Sequence, residues 1–364
     1  MKRTVLAPLH EARGAQWMEH HGWEIPARFA SVEQEYHALQ EGVGLLDLSH
    51  RTRLRISGRD RRNWLHGQCT QDIKGLADGR AAYATIMDPR GKMVCDLRVI
   101  ALPGELWLDL PAGTDTPMQE YLDHYLIMER CEIEDLSASH AQLSLQGPQS
   151  SYALGGVLGQ DAASLAPGGV VTVEHAGLPV HVVRSFRCGE DGFDVYVPAE
   201  GAAPLWASLS MPRPEFAVHS VGWDAINVRR LEAGIPWWGE ELDGSLVPLE
   251  ARLDHAISTN KGCYVGQEII ARIEARGHVN NLLGGFHVMG DTLPPRGAEI
   301  QADGKRIGKV STSLRSLRLN RPVGLGFFRR EHHQAGAPLK AVWEGGEAEL
   351  RVTPLPFVRD DHPA

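Results

Sequence analysis

Asn260-Lys261-Gly262-Cys263-Tyr264-Val265-Gly266-Gln267-Glu268 runs directly into Ile269-Ile270-Ala271-Arg272-Ile273-Glu274-Ala275-Arg276-Gly277. The second half reads as a helix: Ile269, Ile270 and Ile273 share one side, and Gly277 supplies a C-terminal stop. The first half is then a glycine-bearing loop feeding a helix N-terminus, where backbone N–H groups and the positive end of the dipole gather. A cysteine at that spot, two residues from Lys261, has its thiolate favoured electrostatically, so Cys263 and Lys261 are candidate catalytic residues. The plainer reading is a small cysteine packing a tight turn, with Glu268 complementing the helix dipole.

Outward from this stretch the texture changes in both directions. After Gly277, short runs at Phe286–Met289, 299–302, 309–313, 323–327 and 349–352 are broken by Gly and Pro, the spacing of a small antiparallel barrel or sandwich. Upstream, Thr52, Leu54 and Ile56 alternate with Arg51, Arg53 and Arg55, which places three arginines on one face of a strand. With Arg59, Arg61 and Arg62 they read as a solvated strand-and-loop face. The alternatives are a cradle for an anionic tail, an acidic partner surface or an RNA backbone. Residues 81–87, 92–102 and 105–110 continue as strands, and 117–126 as a helix. Further strands are expected at 142–145, 180–185 and 193–198, and helices at 204–210 and 224–233. Gly14 to Met18 and Val32 to Gln40 read as amphipathic turns, and 155–169 as a weak helix plus loop. Strands and helices interleave without a βαβ rhythm, which makes the chain α+β with three lobes. The expected division is 1–50 with 141–253 as a ferredoxin-like central lobe, 51–140 as a second α+β lobe, 254–282 as motif loop and helix, and 283–364 as the barrel.

The bulk properties exclude several classes. The 364 residues are 43% hydrophobic and 23% charged, as in soluble globular chains, and predict two to three domains. A net charge of −9 leaves no overall basic field for nucleic acid or an anionic membrane. Met1 to Pro8 lacks the apolar region of a signal peptide, and no run approaches the eighteen apolar residues of a membrane span. Five scattered cysteines (69, 95, 131, 188, 263) with no Cys-x-x-Cys argue against disulfides and structural zinc, and no metal site is expected. A cytoplasmic, monomeric protein is expected.

Lys261-Gly262-Cys263-Tyr264-Val265-Gly266-Gln267-Glu268 resembles the signature of the YgfZ-type folate-binding proteins, relatives of a mitochondrial iron–sulphur assembly factor within the glycine-cleavage T-protein (aminomethyltransferase) superfamily. The similarity extends through nearly the whole chain. Pro8-Leu9-His10, Gly22 to Pro26 and Gly44 to His50 resemble the T-protein N-terminal region, and Gly189 to Pro198 its central strand. Arg230 to Gly234 and Pro248 to Ala251 resemble superfamily motifs, and Ile307 to Val310 with Gly324 to Phe327 the C-terminal barrel.

The resemblance implies a three-lobed cloverleaf with a channel for tetrahydrofolate or a one-carbon derivative. A reduced pterin wants a carboxylate and a stacking surface, and its glutamate tail wants cations. Gly91-Lys92-Met93-Val94-Cys95-Asp96-Leu97 resembles the T-protein Gly-Gly-x-x-Asp-Asp-Leu, which makes Asp96 the candidate catalytic carboxylate, with Cys95 in place of the first aspartate. Tyr83 and Met87, on the preceding strand, Asp194, Arg230, Trp238 and Tyr264 complete the implied folate-binding set. Ile226 stands where the T-protein has a tail-binding arginine, removing a charge-assisted bond of about 1.5–3 kcal/mol. The leading implication is a tetrahydrofolate-binding accessory protein for maturation or repair of iron–sulphur enzymes, including those that thiolate tRNA, with Lys261 keeping the Cys263 thiolate charged and with iron–sulphur clients as partners. The rival is a folate-dependent aminomethyltransferase or demethylase. A binding scaffold without folate is the third possibility.

Overall fold

A computed structural model describes residues 1–189, 191–212 and 216–358; Glu190 of the central-strand motif lies outside them. The chain divides into two compact units. The first comprises Met1–Ile86, Cys95–Ile226 and Ala256–Val265; the second comprises Met87–Val94, Asn227–His255 and the chain from Gly266 onward.

Two large sheets and a small three-stranded one build the first unit. The six-stranded sheet runs in the order Val170–His175, Leu178–Arg184, Gly192–Pro198, His140–Gln146, Val43–Asp47, Val218–Ser220. All its pairs are antiparallel except the last. Leu45, Leu143, Leu145, Phe193 and Val195 point from it into one core with Leu154, Leu205 and Trp206 of the helices Ser150–Leu158 and Ala199–Leu209. The five-stranded sheet has the order Arg80–Met87, Met93–Leu102, Glu105–Leu110, Thr52–Ser57, Glu132–Asp135. Ile100, Leu102 and Trp107 of this sheet share a second core with Val170, Val183 and Tyr196 of the other. Val32–Glu41 is helical because Ser31 and Gln34 form a reciprocal capping box over its free N–H groups.

In the second unit six strands close into a barrel, Asn281–Met289, Arg321–Arg329, Lys305–Ser316, Glu299–Ala302, Pro338–Trp343, Gly346–Thr353, each antiparallel to both neighbours. Phe286, Ile300, Val310, Phe328, Leu339 and Leu350 fill it. Gly308 is required where two strands approach closely: a Cβ there would lie 2.1 Å from the Phe327 carbonyl oxygen. The helix anticipated beside the motif loop spans Gln267–Arg276 and stops at Gly277 in the left-handed region (φ 76°). The α+β class and the antiparallel barrel are as the sequence led us to expect.

Three local readings need correction. Gln16–His20 is a strand of a small sheet with Trp23–Arg28, not an amphipathic turn. The arginine face is solvated only in part: Arg55 and Arg59 reach solvent, but Arg53 is 1% exposed and Arg51 is largely covered, because their end of the strand Thr52–Ser57 is packed over. Val170–His175 and Pro338–Trp343 are strands that the pattern did not mark.

Candidate functional site

Alternation along Met93–Leu102 sends Cys95, Leu97 and Val99 into a dry core and leaves Val94, Asp96 and Arg98 on a half-buried face. From the neighbouring strand, Tyr83 donates its hydroxyl proton to Asp96 Oδ2 at 2.9 Å. Asp96 Oδ1 is shielded from solvent and has no hydrogen-bond partner. Burial therefore pushes the Asp96 carboxyl above the ordinary aspartate range, although the charge of Arg51 and the Tyr83 bond pull it back. Burial and the neighbouring carboxylate hold Tyr83 far above its usual value, so it remains a donor. Cys95 is fully buried, and burial, reinforced by Asp96, raises its thiol well beyond any reactive range.

Beside this pair, an ionic layer joins the two sheets of the first unit. Asp109 accepts from Arg51 Nε at 2.6 Å, from Tyr196 Oη and Gln142 Nε2 at 3.2 Å each, and from Arg187 Nη2. Burial alone would raise its pKa, but Arg51, Arg187 and Arg98 together hold it well below the carboxylate range. Asp194 accepts from Arg98 Nη1 at 3.0 Å, from Arg187 Nε at 3.1 and 3.0 Å on its two oxygens, and from Arg187 Nη2 at 2.7 Å. Both carboxylates are fully covered. Arg53 bonds the carbonyls of Ser49 and Ser137 through Nη2 at 2.9 Å each, and its buried Nε and Nη1 have no partner. Nearby, Asp47 accepts from Thr4 Oγ1 at 2.5 Å and pairs with His10 Nε2 at 3.0 Å, both side chains essentially buried.

The motif loop is held by its lysine. Lys261 Nζ donates to the carbonyl oxygens of His66 and Cys69 at 2.5 Å each and of Gln71 at 2.9 Å, and sits 4.8 Å from the centre of the Tyr264 ring. His66 and Cys69 lie at the C-terminal end of the helix Arg61–Gln68, where free carbonyls need donors. Burial pulls the ammonium down to about 8, against the attraction of Cys69 and Asp72. Three carbonyls thus engage all three of its protons. Lys261 fastens the loop, leaving Cys263 exposed.

In the second unit Met87 is buried, and Trp238 is half-buried in a short parallel bridge with Leu242. Arg230, expected in the folate-binding set, is fully buried: it pairs with Glu241 Oε2 at 2.5 Å, bonds Asn227 Oδ1 at 2.8 Å and stacks 5.4 Å from the Trp237 ring centre. Its guanidinium is a structural ion pair, closed to solvent. Among the described residues no group of His, Cys, Asp and Glu side chains is arranged to hold a metal ion, and no helix is long and apolar enough to cross a membrane.

Residues 6–261 match the family model described as the GCVT N-terminal domain, and residues 283–359 match the glycine cleavage T-protein C-terminal barrel domain. The chain belongs to the glycine-cleavage T-protein family. It is 32% identical to an aminomethyltransferase of Geobacillus kaustophilus, covering 99% of each chain, and 32% identical to one of Symbiobacterium thermophilum, covering 100% of this chain and 98% of that one. The crystal structure of the glycine cleavage system aminomethyltransferase T from Bartonella henselae superposes with a TM-score of 0.88 at 25% identity, over 98% of both chains.

Within this T-protein framework the structure brings Asp96 and Tyr83 together and fastens Lys261 and Tyr264 to each other. Asp194 is fully covered and ion-paired. Its oxygens are occupied by Arg98 and Arg187, two residues that our sequence reading passed over. Arg98 was legible: it lies two positions after Asp96 in a strand and so shares its face. Arg187 lies in the segment before the strand Gly192–Pro198 and gave no periodic signal. Ile226 is 1% exposed and packs as an ordinary core aliphatic.

Proposed function

We propose that this protein transfers a one-carbon unit to a reduced folate, as expected of an aminomethyltransferase of the glycine-cleavage T type, with Asp96 as the catalytic carboxylate. The observation that carries this reading is the half-buried Asp96, anchored on one oxygen by Tyr83 and unpartnered on the other. A buried acceptor with nothing to accept is costly, on the order of 1–3 kcal/mol, and a ligand N–H brought to it relieves that cost. Folate is a substrate here, and its attacking nitrogen fits this carboxylate. When that nitrogen attacks the methylene carbon of the donor, the bond from that carbon to its leaving group breaks and the leaving group departs with the electron pair, while the nitrogen gains positive charge and must shed a proton. Asp96 stabilises the charge and takes the proton, a contribution typically of 10²–10⁴ in rate. Tyr83 orients the carboxylate. The names of the full-length relatives favour this reading over an accessory role.

The test is one-carbon transfer to tetrahydrofolate from an aminomethyl donor, followed by the rise of methylene-tetrahydrofolate. The wild-type protein should turn over, and Asp96→Asn should lose at least about a hundredfold in rate while retaining tetrahydrofolate binding. Equal rates in the two proteins would refute the assignment.

One observation supports a second reading, a folate-binding accessory role in iron–sulphur enzyme maturation and tRNA modification: Cys263 is the exposed thiol of a loop fastened by Lys261. One thiol cannot hold a cluster that normally takes four ligands, so any cluster would be shared with a client protein. Cys263→Ala would then abolish rescue of a maturation-deficient strain without affecting folate binding; full rescue would remove the thiol from the mechanism.

A further inference from the structure

The ionic layer beside Asp96 has more cationic capacity than its own carboxylates use. Arg51 donates to Asp109 through Nε alone, and Arg98 to Asp194 and Ser185 through Nη1 alone. Arg187 uses Nε and Nη2. Arg51 Nη1 and Nη2, Arg98 Nε and Nη2, and Arg187 Nη1 therefore donate to no side chain or carbonyl among the described residues. None of these nitrogens is buried away from solvent, whereas the two aspartates beneath them are fully covered. Three guanidiniums against two carboxylates leave one positive charge over. Just below, Arg53, 1% exposed, has two further N–H groups without partners. A guanidinium fork with free terminal nitrogens matches a carboxylate in bidentate geometry. The face carrying Arg98 also carries Asp96, two residues back on the same strand, with an unpartnered oxygen.

We propose that this face is a binding site for a free α-amino acid or its N-methyl derivative, which places its ammonium at Asp96 and its carboxylate across Arg51 and Arg98. The two charges of such a zwitterion are of opposite sign, as are Asp96 and Arg98, which stand two residues apart on one face of a strand. This deepens the one-carbon reading and rests on it, since the amino nitrogen is brought to the carboxylate that serves the folate nitrogen. It also gives a purpose to the occupation of Asp194. With that carboxylate neutralised by Arg98 and Arg187, the layer presents donors, and it selects an anionic group where a bare aspartate would select a cation or a donor edge.

Calorimetric titration of the full-length protein with sarcosine, with its halves methylammonium and acetate, and separately with tetrahydrofolate and tetrahydropteroate tests this. Sarcosine should bind at least tenfold more tightly than either half. Arg51→Lys and Arg98→Lys, which keep a cation for the buried aspartates but remove the fork, should each weaken sarcosine at least tenfold and leave tetrahydrofolate within twofold. The proposal is overturned if methylammonium binds as well as sarcosine, or if sarcosine does not bind a protein that binds tetrahydrofolate. It is also overturned if the variants weaken tetrahydrofolate but not tetrahydropteroate, which would assign the arginines to the folate glutamate. Sarcosine binding with the expected variant pattern, but without tetrahydrofolate binding, would uphold the site and sink the one-carbon reading.

Discussion

Asp194→Asn separates two roles for a residue that the family resemblance assigns to the ligand and the structure assigns to an ion pair. The substitution keeps shape and removes one negative charge from a site that accepts from Arg98 and Arg187 at 2.7–3.1 Å and is fully covered. Removing one partner of a buried pair typically costs about 3–5 kcal/mol, because the other charge is left buried and unpaired. Here Arg187 keeps Asp109, and Arg98 and Arg187 are 18% and 10% exposed, so water can solvate part of the stranded charge. The lower end applies, about 3 kcal/mol. For a unit of this size that is a melting-temperature drop of roughly 6–12 °C. Calorimetric melting of wild type and variant, with tetrahydrofolate titrated into each below the transition, reads both roles together. A drop of less than about 2 °C accompanied by lost folate affinity would show that Asp194 serves the ligand, and the structural account of the ionic layer would be wrong.

Tyr83→Phe removes a hydrogen bond that holds the Asp96 pKa down, so the acid limb of the pH–rate profile should move further up in pH. A carboxyl raised in the folded state stabilises the fold below the ordinary aspartate value and loses that contribution as pH rises through its folded value. The denaturation midpoint of this variant should therefore fall over a window extending to higher pH, and an unmoved limb would count against Asp96 as the base. Lys261→Met should cost about 2–3 kcal/mol from three lost bonds to carbonyls and quicken thiol labelling mapped to Cys263; unchanged melting and labelling would refute the fastening role. Because burial holds Lys261 at about 8, the unfolded chain binds more protons between there and the ordinary lysine value of about 10.4. Stability should rise with pH across that interval, and this slope should vanish in Lys261→Met. Cys263→Ala, at an exposed position, should shift stability by less than about 0.5 kcal/mol in chemical denaturation, and a larger loss would mean that the thiol packs.

Local pattern carried five of the six barrel strands and the motif helix, since Gly and Pro punctuate them and Ile269, Ile270 and Ile273 mark one side. It misjudged residues whose surroundings come from distant chain segments. Arg51 and Arg53 alternate with apolar neighbours as a solvated face would, yet the carbonyls of Ser49 and Ser137 and the carboxylate of Asp109 make their burial affordable. Lys261 was read against its sequence neighbour Cys263, while its true acceptors are nearly two hundred residues away. Asp96 and Tyr83 were legible through family likeness and strand position. Their hydrogen bond, which fixes the carboxylate, was not, because sequence spacing does not set the register between adjacent strands.

The closure of the six C-terminal strands bears on how this molecule meets others. A ring of strands has no unpaired rim, so the barrel offers no backbone template to which a foreign strand can add. The six-stranded sheet of the first unit does have rims, at Val170–His175 and at the three-residue Val218–Ser220. One carries Glu174 and His175 and the other is too short to template much, both recognised deterrents to strand addition. The five-stranded sheet keeps rims as well, at the eight-residue Arg80–Met87 and at Glu132–Asp135, so any strand addition should fall on the open sheets and spare the barrel.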